Sequence, residues 1–71
     1  MADAPIAPAL TQRQLEVLRL LGGSEPAKVI ACRLEIAEET VSNHISMILL
    51  ELGCDLQLEA VAEAQRRTLI P

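Results

Sequence analysis

The sequence predicts an all-α fold of four helices. Val41, Ile45, Ile48, Leu49 and Leu52 recur at i, i+4, i+7, i+8 and i+11, a stripe that only a helix places on one face. No segment alternates apolar and polar residues with a period of two, so no sheet is expected. Helix start and stop signals divide the chain into four parts.

Residues 1–9 are rich in Ala and Pro, and Pro5 and Pro8 interrupt any helix there. They are expected to form an extended lead-in or the end of a linker. Thr11 and Gln14 have the spacing of a capping box, and Leu10 can staple onto the first turn near Leu15. Leu15, Val17, Leu18, Leu20 and Leu21 give the first helix a broad apolar face, stopped by Gly22 and Gly23. Ser24-Glu25-Pro26 restarts the chain, since proline is tolerated in a first helical turn. The second helix is predicted from Ala27 to Leu34, with Ile30 and Leu34 inward.

Glu35-Ile36-Ala37 is long enough only for a tight turn. Glu38, Glu39 and Thr40 open a third helix, the two carboxylates favouring the positive end of its dipole. Gly53 ends it. Asp55 is then expected to cap a fourth helix from about Leu56 to Arg67, with both arginines at its negative end.

Length and composition bound the function. Seventy-one residues and 7.7 kDa allow one domain, with no room for a sensor or receiver beside it, so a signal input comes from elsewhere. Hydrophobic residues reach 51% and mean hydropathy is +0.31, which excludes a disordered tail. Aromatic residues are absent, which excludes modules that stack unpaired bases on Phe, Tyr or Trp. A net charge of −4 and a pI near 4.8 provide no global field toward nucleic acid or anionic lipid. Cys32 and Cys54, with one histidine, match no zinc spacing; two buried thiols in a reducing cytoplasm are expected rather than a disulfide. The first residues lack the basic region that precedes the apolar run of a signal peptide, and no window is apolar enough to cross a membrane. The expected location is the cytoplasm.

A short helix, a three-residue turn and a longer helix with one apolar stripe outline a helix-turn-helix. Several residues make the outline specific. They are Leu10-Thr11-Gln12-Arg13, Glu16-Val17-Leu18 and Leu20-Leu21 at the start, then Lys28, Ile30-Ala31, Leu34 and Ile36. Thr40-Val41, His44, Ile48, Leu52-Gly53, Glu59-Ala60-Val61 and Ala64 follow. In these positions the chain resembles the LuxR-type (GerE-type) DNA-binding domain over residues 10–70, with the domain itself taken as 10–71.

The resemblance implies a bacterial transcriptional regulator whose third helix reads the major groove of double-stranded DNA. It also implies a homodimer formed through the fourth helix at Leu58, Ala62 and Gln65, which would match half-sites about one helical turn apart. The chain would be either the C-terminal output part of a larger regulator or a small stand-alone one. Lys28 falls where the family contacts the DNA backbone and can neutralise one phosphate, unless it is simply solvated. Thr40 can bond a phosphate or support its helix end.

Geometry names the outward residues. At about 100° per residue, Glu39, Asn43, Ser46, Met47 and Leu50 lie opposite the apolar stripe, with Ser42 at the edge. Asn43 can take an adenine edge and Ser46 either partner type, or both are plain solvated positions. Ser42 can reach a phosphate. Met47 and Leu50 gain nothing from water, so they fit a thymine methyl or a protein partner. His44 flanks the stripe in a packing or backbone role. No nucleophile has a second group at catalytic spacing, so no catalytic residue, metal or cofactor is assigned.

The chain departs from the family where phosphate is normally bound. Ser42 and Glu51 stand in place of lysines, Gln57 in place of an arginine, and Ala37 in place of a capping serine. From Glu25 to Leu52 the charge is −3, Lys28 and Arg33 being outnumbered by Glu25, Glu35, Glu38, Glu39 and Glu51. That balance supports a second reading, a degenerate helix-turn-helix that binds protein through Met47 and Leu50 with weak or no DNA binding.

Overall fold

The computed structural model describes residues 10–71; the expected lead-in, residues 1–9, lies outside them. Four helices follow in order: α1 (Gln12–Gly22), α2 (Ala27–Leu34), α3 (Glu38–Leu52) and α4 (Gln57–Arg66), and among the described residues there is no strand. The all-α reading and three of the four helix starts agree with the sequence.

The α1 start is closed by the expected capping box. The Gln14 backbone N–H donates to Thr11 Oγ1 at 3.1 Å, and the Thr11 N–H donates to Gln14 Oε1 at 3.0 Å. This exchange satisfies two orphan donors and explains how Gln14 can be buried. At the other end the left-handed residue is Ser24 (φ 67°) and not either glycine, since Gly23 has φ −87°. Gly22 serves a different purpose. A Cβ there would come within 3.3 Å of Ile70 Cδ1, so the missing side chain lets the C-terminal segment close over α1.

All four helices end in one way: after α1, the Glu25 N–H reaches back to the Leu20 carbonyl at 3.3 Å. After α2 the Ile36 N–H reaches back to the Ala31 carbonyl at 3.0 Å, after α3 Cys54 to Leu49 at 2.9 Å, and after α4 Leu69 to Ala64 at 2.8 Å. Each six-residue closure needs a left-handed residue at its apex. Gly53 (φ 70°) adopts that conformation freely, whereas Ser24 (φ 67°), Glu35 (φ 59°) and Thr68 (φ 62°) hold a Cβ there at a cost. The turn between α2 and α3 is therefore tight and carries local strain.

α3 begins at Ala37, which makes no side-chain cap, so Glu38 and Glu39 in its first turn supply the compensating charge. The expected Asp55 cap of α4 does not form. Leu56 occupies the cap position and Asp55 lies one residue too early; instead the Asp55 N–H donates to Glu59 Oε1 at 3.2 Å. At its end α4 is tied by Arg66 and Arg67, both hydrogen-bonded to Glu63 with closest approaches of 2.6 Å. Arg67 and then Arg66 hold the Glu63 carboxyl below its ordinary range.

The core is built on α3. Val41, Ile45, Ile48 and Leu52 are all buried on it, with Val41 fully enclosed. They meet Val17 and Leu18 of α1, Ile30 and Ala31 of α2, and Ala60 and Ala64 of α4, while Leu10 and Ile70 close the two ends. The two alanines allow α4 to approach closely without a large side chain in the way. α3, like α1, is thus packed against all three other helices.

The cysteines correct one expectation. Cys32 is exposed and Cys54 half-buried, and both are free thiols. Cys32 lies two residues, about 200° of helical rotation, from the buried Ile30, which turns it to solvent.

Two outcomes are expected. Ile48, 1% exposed, should cost roughly 2–5 kcal/mol when cut to alanine, unfolding a large share of so small a domain in a thermal melt. Glu35→Gly should do the reverse. Removing the left-handed Cβ is expected to add about 1 kcal/mol and to raise Tm by several degrees.

Candidate nucleic-acid interface

The α2–turn–α3 unit presents two exposed residue sets. On α2, Lys28 lies in the first turn and faces solvent. On α3, Thr40, Ser42, Asn43 and Ser46 are all exposed, Thr40 and Ser42 on the flanks of the buried stripe and Asn43 and Ser46 on the side away from it. Met47 and Leu50 share that side, at 54% and 77% exposure. His44 is half-buried, between stripe and outer face. The rotation worked out from sequence therefore matches the side that the core leaves free.

The fourth helix offers a separate surface. Leu58 is 80% exposed, and Ala62 and Gln65 also face solvent. Leu58 borders an open cavity of about 410 Å³, whose walls include Leu21, Gly22, Pro26 and Val61. This hollow lies between the end of α1 and the start of α4, and sequence reading did not anticipate it. Its walls come from the α1–α2 turn, which no periodic pattern links to α4.

Ion pairing sharpens the electrostatics. The Arg33 guanidinium donates from Nε to Glu25 Oε1 at 2.7 Å, bridging α2 to the segment before it. Arg33 is thereby committed within the protein, a pairing of residues eight apart that spacing alone does not reveal. Among the described residues Lys28 enters no ion pair, so it is the one cation between Glu25 and Leu52 left for a phosphate. Arg13 is paired with Glu16 at 3.2 Å, and Arg19, exposed in the last turn of α1, complements the helix dipole. Among the described residues no group of three or more His, Cys, Asp or Glu side chains is arranged to hold a metal ion. No described helix is long and apolar enough to cross a membrane.

A four-helix core in which a short helix, a tight turn and a longer helix with an exposed polar face follow one another is a helix-turn-helix domain of the kind that binds DNA. The chain belongs to the family of bacterial regulatory proteins called the luxR family, whose pattern matches residues 8–64. It is 37% identical over 67 residues to the probable transcriptional regulatory protein NarL of Mycobacterium tuberculosis, covering 94% of this chain but 31% of that protein. It is 44% identical over 59 residues to the spore germination protein GerE of Bacillus subtilis, covering 83% of this chain and 80% of GerE. The solved structure of the transcription factor GerE superposes with a TM-score of 0.83 at 35% identity, covering 87% of this chain and 92% of that one. The fold is thus a LuxR-type DNA-binding domain, and none of these similarities favours a module that acts without DNA.

The acidic balance yields a direct expectation. Ser42→Lys with Glu51→Lys changes the local charge by +3, one unit from the first and two from the second. Binding to random duplex DNA, followed by fluorescence anisotropy, should strengthen sharply at low salt and lose that gain above ~0.2 M. An unchanged affinity at low salt would remove α3 from the groove.

Proposed function

We propose that the chain binds double-stranded DNA as the output domain of a bacterial transcriptional regulator, with α3 lying in the major groove. The observation that carries this reading is the outer face of α3, where Asn43 and Ser46 stand exposed opposite a buried stripe, with the exposed Ser42 at the edge. Asn43 pairs with an adenine edge and Ser46 with a neighbouring donor or acceptor. Ser42 and Thr40 contact phosphate from the N-terminal part of the helix, and Lys28 does so from α2.

On this reading two copies pair through α4. Leu58, Ala62 and Gln65 follow one another at i, i+4 and i+7, and the exposed Leu58 is the apolar centre of that face. A twofold pairing would set the two α3 helices about one turn of DNA apart. The apolar patch is small, so the isolated chain should dimerise weakly and gain from DNA as a template. A regulator of this kind works on DNA in the cytoplasm, with no cofactor and no catalytic residue. The upstream signal is received outside this segment.

Asn43→Ala is expected to cost about 1–3 kcal/mol on a site selected from random duplexes and to relax the preference at one position. Leu50→Ser should change little, because the C-terminal end of such a helix points away from the base edges. A silent Asn43→Ala together with a crippling Leu50→Ser would place a protein, not DNA, against this face.

A further inference from the structure

Met47 is, with Leu50, one of two large apolar side chains that α3 leaves exposed and that hydrogen bonding and capping do not explain. It is unbranched and 54% exposed, and it gains nothing from water. It follows Asn43 by four residues, which on a helix means about 6 Å along the axis and about 40° of rotation. Successive bases on a strand are about 3.4 Å apart, so the two side chains address positions one or two steps from each other.

The composition of α3 narrows what those positions can be. The helix contains no lysine and no arginine, the residues that most often take a guanine edge. Asn43 suits adenine. The C5-methyl of thymine is the apolar feature of the major-groove edges, and a flexible thioether chain can adapt to it. Leu50 is more exposed but sits a further turn toward the C-terminus, beyond the part of a recognition helix that reaches bases.

We propose that Met47 is a specificity-determining residue that packs against the C5-methyl group of a thymine within two base-pair steps of the adenine taken by Asn43. The proposal rests on the reading that α3 occupies the major groove. It makes the positions that α3 reads A·T, through one amide and one apolar contact, without a guanine-specific cation.

The 71-residue chain is to be incubated with a randomised duplex library, and the retained duplexes sequenced. Thymine should be enriched within two steps of the adenine whose selection is lost in Asn43→Ala. Replacing that thymine by deoxyuridine removes the methyl and nothing else, and should weaken binding about fourfold. Met47→Ala, with its helical circular dichroism intact, should bind the two duplexes equally, while Asn43→Ala should keep the difference. Equal affinity of the parent chain for both duplexes overturns the proposal, as does a penalty that persists in Met47→Ala. Failure of the parent chain to retain any duplex at low salt overturns the groove reading itself, and is distinguished by that from loss of methyl discrimination alone.

Discussion

The structure depends on one apolar contact surface, the stripe of Val41, Ile45, Ile48 and Leu52 along α3. With no aromatic residue available, the core must be filled by aliphatic side chains, and this helix contributes the largest share of them. Because its buried face meets α1, α2 and α4 at once, its rotation is fixed from three sides. A fixed rotation is what gives the opposite face a meaning: Asn43 and Ser46 point outward because Val41, Ile45 and Ile48 cannot. Recognition and folding are two faces of the same 15-residue helix.

The remaining helices are positioned by how they end. Four back-reaching N–H groups close α1, α2, α3 and α4, so each helix stops within one residue of a tight reversal. A chain this short buries a limited core, and long loops would add entropy cost without burial. The strain accepted at Ser24, Glu35 and Thr68 is consistent with that economy. Gly22 contributes in another way, since the close approach of Ile70 seals the end of α1 beneath the C-terminus.

Electrostatics set this chain apart from a DNA-binding surface held mainly by phosphate. Arg33 is committed to Glu25, which leaves Lys28 as the one unpaired cation among the described residues of a segment, Glu25 to Leu52, that holds five glutamates. Each neutralised phosphate contributes a salt slope of about −0.9, so a single free cation implies a shallow dependence per recognition unit. On the proposed reading, discrimination then falls to neutral contacts on the bases, namely an amide, a hydroxyl and a thioether. Such contacts specify sequence without adding much non-specific affinity, and they place weight on pairing two copies.

The sequence by itself determined the class of fold, the spans of α2 and α3, the capping box of α1 and the outward rotation of α3. These are local properties: a helical period and a cap depend on residues a few positions apart, and they survive whatever packs against them. The residues that resemble the LuxR-type domain likewise lie in the sequence. Tertiary structure decided the rest. Asp55 was passed over as a cap because α4 starts one residue later. Cys32 turned outward because only one side of the short α2 can face the core. Arg33 was removed from the DNA-facing charge by Glu25, eight residues away, and the hollow beside Leu58 arose where the α1–α2 turn meets α4. Each of these turns on which segments the core brings together, and a linear pattern does not encode that proximity.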